Sequence, residues 1–426
     1  MAEGDRRASS GRLTSRTPAA GHVVPKIRLT PINYANLFFN NADASDEAFR
    51  AAMERRLGED VRVTPLGRAR SGIYLLVKYA LRTGRRKVLL SPFTIPDVVN
   101  MVALAGGEPV FFDTEPGSTR CDLRGLSALI DADTACVMVT HYHVNEDRLG
   151  EIASLCRQAG ALLFDDCAIA MGGTAGGRPL GRLTDASIFS FSTFKLVNFF
   201  WGGLVSTRDP EIFAYVEAAA AAWPRLSLRG YAAQACKSIR YDLATRPLVF
   251  GRLVFPTLRR RALTSNRAHS LEWQRIENTT LDASLASRPH PAALAEWTRK
   301  LARVDGWLDR QRSIARVYAR TLRDRAVSGP LTERDFADGC FSNFPVLVDP
   351  ARRDEICHKM MVAGFDMGLH VYPNVHAHPR YSSASGVSAN VARLVASSVY
   401  LPTHFAVSED YAEAMARTLV AIAAKG

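Results

Sequence analysis

The sequence predicts an α/β protein. A large domain is built on a mainly parallel sheet flanked by helices, and a smaller α/β domain follows at the C-terminus. Two observations carry this. From about residue 65 to 210, short apolar strands alternate with helical segments, the pattern of a parallel sheet covered on both faces. The chain has 426 residues, more than one core usually serves, so a large domain with a smaller partner is expected.

Residues 1–28 are rich in Arg, Ser, Gly, Thr and Ala and read as a flexible basic tail. No apolar stretch follows the early arginines, as a secretory signal would require. Residues 29–265 are assigned to the large domain. Within it, 71–81 reads as a helix, 87–90 as a strand, 95–105 as a helix and 109–112 as a strand. The pattern continues with helix 123–130, strand 135–140, helix 149–159 and strand 162–164. Residues 225–275 read as a basic insertion or connection. They hold eleven Lys/Arg against only Asp242 and Glu272. Residues 266–426 are assigned to the small domain: a long helix or helix pair over 291–322, a strand at 344–348, a helix at 354–363 ended by Gly364, and a last helix at 411–424.

Apolar residues are 47% and charged residues 23%, which excludes a mostly disordered chain and a polytopic membrane protein. No run of about 18 uncharged apolar residues predicts a transmembrane helix. The seven cysteines are scattered without CxxC spacing. They read as reduced intracellular thiols, neither a disulfide frame nor a zinc site. The expected location is therefore the cytoplasm. A net charge of +12 suits nucleic acid, an anionic membrane surface or a phosphorylated small molecule. No helix-turn-helix, RNP or zinc signature shapes that charge into a nucleic-acid reader.

Ligands of parallel sheets sit beyond the carboxyl ends of the strands, so residues just after each strand are the ones to inspect. Asp165 and Asp166 end an apolar strand, and alternation sends one into the crevice and the other away. Lys195 follows the apolar, hydroxyl-rich stretch 189–194 and precedes Gly202 and Gly203. A lysine among aromatic rings has a reason to carry a lowered pKa, which favours the neutral amine needed for a Schiff base. An acid after one strand and a lysine after the next fit pyridoxal 5'-phosphate (PLP). The acid keeps the pyridine nitrogen protonated, and the lysine holds the aldehyde. A phosphate cradle should complete the site. Arg70-Ser71-Gly72 opens a helix, where free amides and the dipole favour an anion. Ser190 is a second candidate donor.

These residues, with Phe164, Cys167, Ala168, Gly181 and the run 185–191, resemble the DegT-like nucleotide-sugar aminotransferases of the fold-type-I PLP enzymes. The resemblance runs from about Gly67 to the C-terminus. Supporting matches are 107–113, the helix around Arg312, Ala315 and Tyr318, Gly364 with 370–373, and Leu401-Pro402. It implies Lys195 as Schiff-base lysine and general base, Asp166 as partner of the pyridine nitrogen, and Ser190, Ser71 and Gly72 as phosphate ligands. It also implies a homodimer, an amino donor, usually glutamate, and a keto sugar carried on a nucleotide as acceptor. The expected setting is polysaccharide, lipopolysaccharide or glycosylated natural-product biosynthesis.

The chain departs from the family pattern at four places. Ile169 stands where Gln or His is usual near the cofactor's 3-oxygen. Ile95 stands where an aromatic ring usually stacks on the cofactor, leaving Phe93 or His141 as substitutes. Phe200-Trp201 replaces Gly-Glu, and Ile73 replaces a small residue of the phosphate turn. Two alternatives remain: another PLP reaction on a sugar nucleotide, such as dehydration, or a non-catalytic binding protein retaining the fold. Dehydrating relatives carry histidine in place of the lysine, so Lys195 argues for transamination. His141 and His143 share a strand face as metal ligands can. No third ligand is evident beside them, and no metal is expected. His143 and Arg288 are weak candidates for substrate contact. The basic stretch reads as a solvated or dimer-facing surface, as a substrate contact, or, over 239–261, as a peripheral contact with the inner face of an anionic membrane.

Overall fold

The computed structural model describes residues 23–34, 45–193, 195–199, 201–265, 280–323, 331–368, 375 and 389–424. Helix α1 (Ser45–Leu57) buries Phe49, Met53 and Leu57 along one stripe, the spacing of an amphipathic helix. There follow β1 (Arg62–Leu66), α2 (Ala69–Ala80), β2 (Lys87–Leu90), α3 (Pro96–Ala105), β3 (Glu108–Phe111), α4 (Leu123–Leu129), β4 (Thr134–Thr140), α5 (Leu149–Ala159) and β5 (Leu162–Asp166). A small hairpin, β6 (Thr174–Ala175) and β7 (Arg178–Pro179), precedes β8 (Ala186–Ser190) and β9 (Gly203–Thr207).

Seven strands form one sheet in the order β1-β9-β8-β5-β4-β2-β3. Strands β3, β2, β4, β5 and β8 are mutually parallel, and β9 runs antiparallel to both β8 and β1. The expected mainly parallel sheet is present. Its strands read as continuous apolar runs because each face has its own core. Val137, Val139 and Leu163 point into one, Cys136, Met138 and Phe164 into the other. The same alternation separates Asp165 from Asp166.

Helices α6 (Pro210–Ala221) and α7 (Leu228–Ala244) follow the sheet. A helical run then continues through Pro247–Val249, a π turn at Phe250–Val254 and α8 (Phe255–Ser265). The remaining elements are α9 (Pro291–Leu301), α10 (Val304–Thr321), α11 (Glu333–Asp338), β10 (Asn343–Leu347), α12 (Arg353–Val362), α13 (Ala389–Ser397), β11 (Ser398–Pro402) and α14 (Glu409–Ala423). Strands β10 and β11 pair antiparallel, and helices α10, α12 and α14 build a core with them through Tyr318, Met360 and Met415.

Two expectations of the sequence are corrected. Residues 23–28, read as the end of a flexible tail, belong to a packed strap. Val24 enters the small-domain core and Leu29 the large-domain core. Lys26 N–H donates to Asp366 Oδ2 at 2.8 Å, and the buried Arg28 pairs with Asp242 at 2.6 Å. The domain division expected at 265/266 falls later, because Leu294, Trp297, Val304 and Leu308 pack into the large-domain core while Ile314 and Tyr318 belong to the small one. The boundary therefore runs through α10. Residues 1–22, 266–275 and 370–373, for which the sequence makes specific readings, lie outside the described residues.

Candidate active site

Helix α2 starts against the sheet edge. Its N-cap, Arg68, is extended (φ −146°, ψ 144°) and offers no side-chain cap, so the first-turn amides lack an intrahelical partner and carry the positive end of the dipole. Gly203 permits this approach, since a Cβ there would lie 2.4 Å from the Ala69 nitrogen. Gly72 answers a packing need of the same kind. A Cβ would come within 2.8 Å of Val205 Cγ2, so its absence seats the helix on β9. Ser71 is fully buried and its hydroxyl donates to the Leu285 carbonyl at 2.6 Å. The Ser71 side chain, expected to cradle phosphate, is thus turned to packing. What the helix start offers an anion is its backbone amides and the Arg70 guanidinium, which pairs with Asp97 at 3.0 Å.

Lys195 lies in the loop after β8. Its carbonyl accepts from Asn198 Nδ2 at 2.8 Å, and its side chain lines a cavity with Thr30, Trp307, Gln311, Asn343 and Tyr400. Burial pushes its amine down to about 8, with Asp166 opposing and Arg70 adding to the shift. Both charges are thus close enough to act on it. Asp166, buried at the carboxyl end of β5, is raised above the usual carboxylate range by burial. Its Oδ1 accepts from Ala168 N–H at 2.8 Å. Ser190 Oγ donates to Ser192 Oγ at 3.2 Å and accepts the Ser192 N–H. Asp166 and Arg70 are thus both near enough for their charges to act on Lys195.

The neighbouring Asp165 points the other way. Burial alone would raise it, but hydrogen bonds from His141, Ser187 and Thr184 hold it below the usual range. Thr184 donates at 2.7 Å, and Cys167 Sγ lies 3.3 Å away. His141 Nε2 donates to Asp165 Oδ2 at 3.1 Å while Nδ1 accepts from Glu146 N–H at 3.2 Å, which fixes the tautomer with the proton on Nε2. His141 is fully buried with both nitrogens engaged, so it is not the ring that stacks on a cofactor. Phe93 is not that ring either. It is fully buried, edge-on to Tyr142 with centroids 6.3 Å apart, in a cluster with Val391 and Leu394. Ile169 packs on the same cluster, which accounts for an apolar residue at that position.

His143 is buried, and burial pushes its pKa down to about 3, against a hydrogen bond with the Asn343 backbone. It sits behind the cavity wall instead of on an open substrate surface. Arg288 Nε donates to the Trp223 carbonyl at 3.1 Å, and its backbone pairs with 224–226, so within this chain it does not join Lys195. Trp201 carries Arg68 at 3.5 Å and Lys237 at 5.0 Å from its ring centroid. This cation–π stack occupies the place of the usual Gly-Glu. Two contributors go beyond the side-chain roles read from the sequence, although Arg70 is part of the helix start named there. Arg70 is near enough to shift Lys195. Thr94, after β2, has a buried hydroxyl with no partner among the described residues. Neither sits in a spacing that announces chemistry.

A half-buried cavity lysine with a depressed pKa, a buried acid whose charge acts on it, a helix start bearing an arginine, and a hydroxyl without a partner among the described residues suit the amine, ring nitrogen, phosphate and polar edge of PLP. The sequence model of the DegT/DnrJ/EryC1/StrS aminotransferase family matches residues 46–240 and 290–420. The chain belongs to that family. Members are PLP-dependent, and the enzyme class is aminotransferase. A relative in Saccharopolyspora spinosa, a dTDP-4-dehydro-2,3,6-trideoxy-D-glucose 4-aminotransferase, is 25% identical over 337 residues, covering 78% of this chain and 77% of the relative. The GDP-perosamine synthase of Caulobacter vibrioides is 30% identical over 128 residues, 30% of this chain and 34% of that protein. Among solved structures, the aminotransferase TlmJ from Streptoalloteichus hindustanus superposes with a TM-score of 0.70 at 19% identity, covering 94% of this chain and 99% of that one. This likeness establishes the shared DegT/DnrJ/EryC1/StrS fold.

Proposed function

We propose that the protein moves an amino group from glutamate to a keto sugar carried on a nucleotide, for a surface polysaccharide or a glycosylated natural product, and that it works as a homodimer. The observation that carries the reading is Lys195, which lines the cavity with its amine lowered to about 8 and with the Asp166 charge acting on it. The relatives support the acceptor class, since the Saccharopolyspora spinosa protein is named for a dTDP-linked keto sugar. When bound, PLP supplies the aldehyde that carries the nitrogen and a ring that draws electrons from the reacting carbon.

The chain's residues supply the rest. Lys195, with its amine lowered to about 8, can hold a proton or release it near neutral pH, and serves as general base at the substrate carbon. Asp166 would accept from the pyridine N–H and favour the protonated ring. The first-turn amides of α2, Arg70 and Ser190 bind the phosphate. Trp307, Gln311, Asn343 and Tyr400 wall the substrate side of the cavity. Arg288 reaches towards the partner subunit's site in the dimer.

The test is the visible spectrum of purified protein with PLP, before and after borohydride, with peptide mapping. Fixation onto Lys195, and loss of the band on adding glutamate, are expected. An absent band, or a label on another lysine, would overturn the proposal.

A further inference from the structure

The family match stops at residue 240 and resumes at 290, so the run from Leu243 to Ser265 lies outside the matched segments. Helix α7 ends at Ala244, Thr245 and Arg246 make a turn, and Pro247–Ser265 then folds as a helical ribbon. Phe250, Phe255, Leu258 and Ala262 form its buried stripe, against Val23 of the strap and Met361 of α12. Arg259 Nε donates to the Val362 carbonyl at 3.0 Å, and His358 Nε2 lies 3.1 Å from the Ala262 carbonyl. The ribbon is therefore docked by its own apolar stripe on the small domain.

Its opposite face is unusual. Among the described residues six large apolar side chains are strongly exposed, and four of them are Leu243, Leu248, Leu253 and Leu263. Leu253 is 69% exposed and Leu263 60%. Between them, Arg246, Arg252, Arg260 and Arg261 are exposed. No Asp or Glu occurs from 243 to 265, and the nearest acid, Asp242, is buried and paired. Packing of the ribbon uses none of these leucines.

We infer that this face is a docking surface for an anionic lipid bilayer. Interleaved leucines and arginines without acids match such a surface: apolar tips enter the headgroup boundary while guanidinium groups pair with lipid phosphates. A protein partner of ordinary surface composition would present both signs in similar amounts, whereas an anionic bilayer presents a net negative surface at the level its headgroup phosphates occupy. Among the described residues no helix is long and apolar enough to cross a membrane, so the contact is peripheral.

The experiment is co-sedimentation of the full-length protein with phosphatidylcholine vesicles, with and without about one-third phosphatidylglycerol. Binding only to anionic vesicles, weakened by salt, is expected. Arg252→Gln/Arg260→Gln/Arg261→Gln should lower partitioning by about 100-fold. Leu253→Ser/Leu263→Ser should lower it about tenfold with the salt dependence retained. Both variants should keep wild-type amine transfer, which shows that they fold. No binding by the wild-type protein to anionic vesicles would overturn the inference. So would leucine substitutions that shift the mass in light scattering while leaving vesicle binding intact, since the face would then be a contact between copies of the chain.

Discussion

Two adjacent carboxylates divide the work at the end of β5. Asp165 is buried and satisfied by His141 and Thr184, whereas Asp166 accepts from Ala168 N–H and feels the Lys195 charge. Asp166→Asn keeps the volume and removes the charge. It should lower kcat about 10²–10³-fold and leave the unfolding midpoint near that of the wild type. Asp165→Asn should do the reverse, costing about 1–3 kcal/mol because the His141 donor then meets an amide in place of an ion. Steady-state transfer rates and urea unfolding separate the two, and equal effects on both readouts would refute the division. Lys195 gives a second prediction. Only the neutral amine attacks the cofactor aldehyde, and the amine is lowered to about 8. Loading of apoprotein with PLP should therefore speed up with rising pH and level off above about 8. Arg70 helps to depress the amine, so Arg70→Gln should move the midpoint upward. Stopped-flow absorbance measures both, and a midpoint at the ordinary lysine value of 10.5 would contradict the geometry.

At the scale of elements, the strap 23–32 ties the two domains to the active-site loop. Lys300, fully buried, donates to the Thr30 carbonyl at 3.2 Å and to Asn198 at 2.6 and 2.9 Å, and Asn198 in turn holds the Lys195 carbonyl. Arg28 is the other fastening. Arg28→Ala leaves Asp242 buried with only Arg246 and the Tyr34 hydroxyl. Breaking a buried pair costs about 3–5 kcal/mol, and these residual partners place the effect near the lower end. Urea unfolding reads it, and a loss below about 1 kcal/mol would show the pair to be idle. Strand β2 and helix α5 lie where the sequence places them, at 87–90 and 149–159, because local period and flanking turn residues decide both. The strap was illegible. Residues 23–32 have no period, and Arg28 finds Asp242 more than two hundred residues away. For the same reason Asp166 and Lys195 stand out in the sequence through their order along the chain, whereas the partners that engage the Ser71, Phe93 and His141 side chains, Leu285, Tyr142 and Asp165, leave no trace in it.

At the scale of the molecule, the domain boundary escaped the sequence because α10 serves both cores, Val304 and Leu308 in one, Ile314 and Tyr318 in the other. No composition shift marks a helix shared in this way. The charge, by contrast, was legible at once, and it has a kinetic consequence. The net +12 includes Arg70 and Lys195, whose charges act on one another. A nucleoside diphosphate sugar approaching them carries more negative charge than glutamate does. Steering by such a field raises the encounter rate and fades as salt shortens the Debye length. Raising salt from about 50 to about 300 mM shortens that length to roughly two-fifths. The value of kcat/KM for the nucleotide sugar, which contains the encounter step, should then fall several-fold. For glutamate it should fall less, and kcat should hold, since the chemistry proceeds inside a buried site that bulk ions do not enter. Half-reaction kinetics with each substrate at two salt concentrations make the comparison. A fall in kcat alone, or equal falls for both substrates, would show that the field of the whole molecule does not guide the acceptor in.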